Sequence, residues 1–380
     1  MSSLPQPVVE STISSETRAE PGLLRRAWRW LSSFVIGAFC CQFLPTAFLS
    51  LGWMLAIQRR SFLQGLHRRS PSSEKGVALA DAVAGSELEE MAAWPAWLHR
   101  RGPGFRVLGR NLMRGLRGFV HVLLLTLPGT ALWAFSWRAG WENSFHKGYE
   151  LASMGPLLGW LGLLLFALAL WHLPLAQARL SLTEDWSVFW QLRLQRRLLG
   201  TRPTRVLLLS AAWVVAGLPL LLLRVVPTFL ENPEWAPAGM TAKQAEDLLG
   251  LYFLVIATWV MAAATTLKWL AGRLHATLLV DAVASGRVGI DELHPREQDA
   301  LRHLDLDGAP EHEDAPTLVR VARATGGRAW RLLHVGGLLL LGLAFGIQVY
   351  VAQFFVYVPL LGWLNHPLVQ LPWFRYAVGS

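Results

Sequence analysis

Acidic residues are missing from every long apolar run of this chain. Six such runs, at 31–57, 118–137, 155–178, 206–229, 248–270 and 334–358, contain no Asp or Glu. An intramembrane aspartyl protease or a carboxylate proton relay keeps such a group in its pathway. The absence argues against both classes and, less forcefully, against an ion-coupled pump. Cysteine is nearly absent as well: Cys40 and Cys41 are adjacent and lie inside an apolar run. They can build neither a disulfide framework nor a zinc site, and read as small buried residues. Charge is sparse, at 16% of residues, where soluble domains carry about 25%. No His-Glu-x-x-His, Gly-x-Ser-x-Gly, Walker loop or dinucleotide fingerprint occurs, so the familiar catalytic constellations are not encoded. Residues 1–24 are polar and mixed in charge. They read as a disordered tail rather than a secretory signal, and the apolar run after them exceeds an h-region of about 7–15 residues.

What is present is length in the apolar runs and a biased distribution of arginine. A helix needs roughly 20 apolar residues to cross a bilayer, and each run reaches that. Segments 58–117, 178–205 and 271–333 hold 11, 6 and 8 Lys and Arg, whereas 138–154, 230–247 and 359–380 hold four in all. Basic residues beside spans stay in the cytoplasm, so the three rich segments are expected inside and the C-terminal segment 359–380 outside. The expected fold is all-α: a polytopic helical membrane domain over 25–358 with five full spans. A sixth, N-terminal segment, 31–57, is Pro-broken and re-entrant. Arg25, Arg26 and Arg29 precede it, Arg59, Arg60, Arg68 and Arg69 follow it, and Pro45 sits near its middle. Both flanks therefore favour the cytoplasm, and the proline favours a break. The alternative is six complete spans. Many of the 19 tryptophans fall near span ends, as an aromatic belt requires.

The basic loops read as helical at the membrane surface. In 105–117, Val107, Leu108, Leu112 and Leu116 recur at helical spacing with arginines opposite, the pattern of an interfacial amphipathic helix leading into a span. Trp186–Arg197 has the same character. The stretch 288–316 is acidic, with Gly308 and Pro310, and reads as a solvated loop. His294, His303 and His312 lie there among carboxylates, but Gly308 follows Asp305-x-Asp307 too early for a calcium loop, which wants glycine sixth. No metal or cofactor is expected. Asp81-Ala82-Val83-Ala84 recurs as Asp281-Ala282-Val283-Ala284, and Arg26-Ala27-Trp28-Arg29 as Arg328-Ala329-Trp330-Arg331. The order differs between the halves, so the matches are weak evidence of duplication.

Polar residues inside the runs are the candidate contacts: His172, Arg224, Lys268, Gln348 and Gln353. Arg224 and Lys268 lie near helix ends, where snorkelling to the interface is expected. Gln348 and Gln353 read as interhelical hydrogen-bonding groups. Gly155-x-x-x-Gly159 and Gly342-x-x-x-Gly346 permit close helix contact and point weakly to a homo- or hetero-oligomer. The net charge of +9 would suggest nucleic acid in a soluble protein. Here the cations sit in the inner loops and match anionic inner-leaflet headgroups, without the interleaved aromatics of a stacking surface, so no nucleic acid is expected.

Leu51-Gly52-Trp53-Met54-Leu55, then Arg59-Arg60, Pro95-Ala96-Trp97-Leu98 and the run into Gly118–Pro128 form a recognisable series. With Ala178-Arg179-Leu180 leading to Trp186 and Phe189, it resembles a family of uncharacterised bacterial polytopic membrane proteins, a domain of unknown function, over about residues 30–220. The resemblance implies the topology and a bacterial cytoplasmic membrane, and no activity. The resulting expectation is a non-enzymatic integral membrane protein acting as a scaffold, assembly or transport-accessory subunit. The alternative is a small permease with its path between the later spans. A lipid-active enzyme built on Asn365, His366 and Arg375 is the third reading, weakened by a single histidine with no carboxylate beside it.

Overall fold

The computed structural model describes residues 23–42, 44–69, 103–136, 154–230, 240–302, 304, 306 and 332–348. Among these the chain is helical, with no strand. The helices are α1 Leu23–Cys40, α2 Leu44–His67, α3 Pro103–Ser136, α4 Met154–Thr183, α5 Trp186–Phe189, α6 Leu192–Leu199, α7 Pro203–Leu230, α8 Ala242–Ala284, α9 Pro295–Arg302 and α10 Leu332–Gln348. Three of them contain stretches long and apolar enough to cross a membrane: Leu108–Ser136, Gly155–Thr183 and Glu246–Ala284. Pro203–Pro219 and Leu332–Gln348 are shorter apolar helices. The tail 1–22, the segment 349–380 and one member of each short repeat lie outside the described residues.

The first apolar run is broken, as the proline suggests, but ahead of it. The chain turns at Cys41 and Gln42, and Pro45 occupies the first turn of α2, where its missing N–H costs nothing. The break keeps its backbone satisfied. Thr46 Oγ1 donates to the Cys40 carbonyl at 2.7 Å, and Ser50 Oγ to the Gly37 carbonyl at 2.9 Å. Ala38, Cys41, Trp53, Met54 and Ile57 then pack with Ala257, Met261 and Ala264 of α8.

α2 is the central helix, and glycine lets its backbone approach both neighbours. A Cβ on Gly52 would collide with the Asn111 carbonyl of α3, and one on Gly115 with the Phe48 carbonyl of α2. On its other side, a Cβ on Gly272 of α8 would strike the Gln58 carbonyl. These are backbone-to-backbone contacts that no side chain could share. The expected amphipathic stretch 105–117 is therefore the first part of one continuous helix, α3, packed on protein. Its inward face is Asn111, Gly115 and Gly118, while Leu112, Met113 and Leu116 are exposed. The small residues, not the leucines, mark the buried side because only they admit α2.

α4 packs antiparallel to α3, with Gly162 against Trp133 and Ser136 Oγ donating to the Gly155 carbonyl at 2.5 Å. α10 runs parallel to α7: His334 meets Thr204, Gly337 meets Leu207, and Gln348 reaches Val214. Gly342 and Gly346 lie against Ala167 and Trp133, and Gly159 faces Ser136, so these glycines serve contacts within the chain.

α8 is longer than a bilayer needs. It begins with a reciprocal cap between Thr241 and Gln244 and runs 43 residues, about 65 Å at 1.5 Å per residue. It ends at Gly286, whose φ of 63° is the left-handed conformation glycine accepts freely. Arg287 N–H returns to the Ala282 carbonyl at 3.0 Å, closing the end. The last third of α8, the end of α2 and the short helices α5, α6 and α9 form a cap. Its own apolar core includes Phe62, Leu66, Leu182, Leu198, Leu279, Leu301 and Leu304.

Candidate functional site

The cap is held to the long helices by arginines whose partners come from distant segments. Arg179 stands near the end of α4 and is completely buried, as is Glu297 of α9. The pair is bidentate: Nε donates to Oε1 at 2.8 Å and Nη2 to Oε2 at 2.7 Å. Nη2 also donates to Gln191 Oε1 at 3.2 Å, in the turn before α6. Glu297 in addition accepts the His294 N–H at 3.1 Å, so it caps the helix on which it stands. His275 of α8 is buried beside the pair, stacked on Phe62 at 5.2 Å, with Nε2 3.7 Å from Glu297 Oε1. Burial pushes the Glu297 carboxyl up, but the paired hydrogen bonds and charge of Arg179, with His275 close by, outweigh it and hold it at about 2. It is an anion at any physiological pH.

Glu184, just past α4, is a second junction. Its φ of 56° is left-handed, and its N–H closes the helix on the Leu180 carbonyl at 2.8 Å. Its carboxylate accepts from Arg114 of α3 at 2.7 Å and lies 3.4 Å from Arg296 of α9 and 3.7 Å from Arg59 of α2. Partial burial raises this carboxyl, and the three guanidiniums lower it further, so the net shift is downward. Asp281 of α8 joins Arg69, at 2.6 Å, and Arg202. Glu292 pairs with Arg197 on the outside. All four junctions link segments more than 70 residues apart, and those at Glu297, Glu184 and Asp281 tie short helices or helix ends to the long ones.

The expected solvated loop 288–316 is thus, over 288–302, a folded part of the cap, with Val288, Leu293, Glu297, Ala300 and Leu301 buried. A signal for it was in the sequence. Pro295 at the first helical position and Glu297 two residues later form a helix start, with the glutamate reaching back to the cap backbone. Asp299 is exposed, and His303, Asp305, Asp307, Glu311, His312, Glu313 and Asp314 lie outside the described residues. Among the described residues no group of three metal-ligating side chains occurs.

Lys268 does not snorkel. It is 3% exposed, donates to Gln177 Oε1 of α4 at 2.7 Å, and its ammonium lies 5.8 Å from the Trp213 ring centre. Gln58 is buried one turn along α4 from that contact, donating to the Pro174 carbonyl at 3.1 Å. Lys268 therefore sits in a neutral polar seam between α2, α4, α7 and α8, without a carboxylate. His172 is half-buried, edge-on to Phe189 at 6.3 Å. Gln348 donates to the Val214 carbonyl at 3.1 Å, a contact between α10 and α7. Arg224 falls within α7, and its side chain is outside the described set, as are Gln353, Asn365, His366 and Arg375. The candidates that are described, His172, Lys268 and Gln348, are dispersed. The arginine–carboxylate junctions of the cap are the dense polar feature.

Comparison with family models, with curated proteins and with solved structures finds no match to this chain in any of the three.

Proposed function

We propose that the chain is a multi-pass protein of a bacterial cytoplasmic membrane that works without catalysis, as a scaffold, assembly or transport-accessory subunit. The observation that carries this reading is the cap: a folded platform with an apolar core, continuous with the long helices and locked to them by buried Arg179–Glu297. A platform of this kind presents a fixed surface to a partner, and the bundle beneath it offers an apolar exterior to lipid. Leu157, Trp160, Leu168, Leu208 and Leu340 are each at least 60% exposed, which water would penalise and hydrocarbon would not. The arginine asymmetry supports a cytoplasmic cap and an external C-terminal segment. The α1–α2 break, seated beside Ala257 and Met261 within α8, supports five spans and a re-entrant segment over six spans. The resemblance noted over residues 30–220 fits the same topology.

Impermeant labelling of single cysteines tests the orientation after Cys40 and Cys41 are replaced. A cysteine at Arg193 should stay unlabelled in intact cells and react after permeabilisation. Labelling from outside would overturn the cytoplasmic cap. A photo-crosslinking residue at Arg302 should give one discrete adduct in cells if the cap is a docking platform. A second reading, a permease, is favoured by one observation, the buried polar seam of Lys268, Gln177 and Gln58. Solute flux in proteoliposomes that Lys268→Met abolishes, with no adduct at the cap, would replace the scaffold reading with that one.

A further inference from the structure

α5 and α6 display side chains that neither the core nor the ion pairs of the cap use. Phe189 points inward onto His121, at 4.4 Å between ring centres. Trp186 lies over the same His121 ring at 3.9 Å, yet is still 38% exposed. Trp190 and Leu192 follow, both exposed, and then Arg193 and Arg196, also exposed. Arg117 is exposed on α3, one turn before His121, whose Nδ1 is 2.6 Å from the Arg117 carbonyl oxygen. Neighbouring cap arginines are paired: Arg197 with Glu292, Arg202 with Asp281, Arg296 with Glu184. Arg117, Arg193 and Arg196 have no carboxylate partner among the described residues.

We infer that these two indoles, with the three guanidiniums that have no carboxylate partner among the described residues, bind the headgroup of an anionic phospholipid in the cap-side leaflet. Indole rings settle at headgroup depth, with an apolar body and a polar N–H. The tilted contact with His121 fixes Trp186 at the level where α3 passes from its arginine-bearing part into its apolar part. Guanidinium matches phosphate with paired N–H donors. The phosphodiester sits among the arginines, Leu192 meets the upper acyl carbons, and the bound lipid ties α5–α6 to α3. The inference rests on the membrane embedding proposed above, on either side, and adds a specific lipid to it. The paired arginines are spent within the protein, whereas these three complement an external anion, so charge complementarity commits the patch to that partner.

The test uses the full chain, purified from nanodiscs of equal phosphatidylcholine and phosphatidylglycerol, with retained lipid counted by mass spectrometry. The wild type should retain phosphatidylglycerol preferentially. Arg193→Gln should reduce that retention about fivefold, the effect of one interfacial charge. Arg302→Gln removes an equal charge from another exposed site on the cap and should leave retention unchanged. Trp186→Leu/Trp190→Leu keeps the charge and should still weaken retention. Equal losses in Arg193→Gln and Arg302→Gln would reduce the effect to net charge and overturn the site. Absence of any preference in the wild type would also overturn it. The cysteine labelling fails independently: a patch that binds anionic lipid but labels from outside keeps the site and discards the orientation.

Discussion

The bundle and the cap are assembled from the same long helices, but they are held together by different physics. In the bundle, contacts are apolar and steric: Gly52 and Gly115 admit the backbone of a neighbour, and Gly342 lies on Ala167. In the cap, contacts are charged and specific: four carboxylates, Glu184, Asp281, Glu292 and Glu297, engage seven arginines. In the membrane setting proposed above, the hydrophobic effect gives helices inside lipid no reason to associate, so close packing takes its place. A small layer of short helices has limited apolar area, and directional pairs fix how it docks. The cation of each region makes the contrast sharp. Arg179 is buried with a full counter-charge, and Lys268 is buried with only an amide and an indole.

Breaking the cap's buried pair is expected to have the largest effect. Arg179→Met leaves the Glu297 charge buried and should destabilise the cap by about 3–5 kcal/mol. Arg179→Met/Glu297→Leu removes both charges and should restore most of that, as measured by thermal unfolding in detergent or by protease protection of 178–205. A double variant no better than the single one would show that the pair does more than balance charge. The pH dependence follows from the same carboxyl. Its folded value of about 2 lies below the ordinary 4.5, so its contribution is complete above the ordinary value. It is lost as the pH falls through about 4 towards 2. Cap stability should show no Glu297-dependent change between pH 6 and 8, and the acid loss should shrink in Glu297→Gln.

The bundle is expected to respond to volume instead of charge. Gly115→Ala sets a methyl group against the Phe48 carbonyl, and neither backbone can swing aside as a side chain would. A cost of about 1–3 kcal/mol is expected, the usual range for overpacking. Gly109→Ala, on the same helix with open space around it, should be neutral or slightly stabilising, because alanine is the better helix former. Thermal midpoints of the two variants compare the effects within one helix. Equal values would mean that α2 and α3 do not touch as described.

The bundle was largely legible in the sequence and the cap largely was not, for the same physical reason. An apolar helix facing lipid announces itself by composition along its own length, so segments such as Gly155–Ala178 stand out without reference to any neighbour. A buried ion pair is defined by two residues, and Arg179 and Glu297 are 118 positions apart. Each separately has the appearance of a surface charge, one past a span and the other in an acidic stretch. Lys268 misleads similarly: its place near the end of an apolar run suggests snorkelling, but α8 continues to Ala284 and α4 closes over it. In 105–117 the arginines drew attention to an amphipathic face, whereas Asn111, Gly115 and Gly118 carry the contact. The break near Pro45 was readable because proline acts through local backbone geometry.

The smallest predicted effect falls where the two regions meet, at Glu184. Its left-handed backbone, normally a glycine's place after a helix, costs a residue with a Cβ about 1 kcal/mol. The chain keeps glutamate there, which implies that the carboxylate's contacts with Arg114, Arg59 and Arg296 offset the strain. Two variants separate the terms. Glu184→Ala loses the three contacts and retains the strain, whereas Glu184→Gly loses the same contacts and relieves it. Both should be less stable than the wild type, with the glycine variant about 1 kcal/mol better than the alanine one. The gap is small because it is purely conformational, and it should persist in high salt, where the partly exposed arginine contacts are screened. Should glycine equal or exceed the wild type at low salt, the contacts would be worth less than the strain, and Glu184 would not be a junction between bundle and cap. If alanine and glycine were equal, the turn would have to leave the left-handed region once the carboxylate is gone. The arginines, not the backbone of α4, would then be what holds it there.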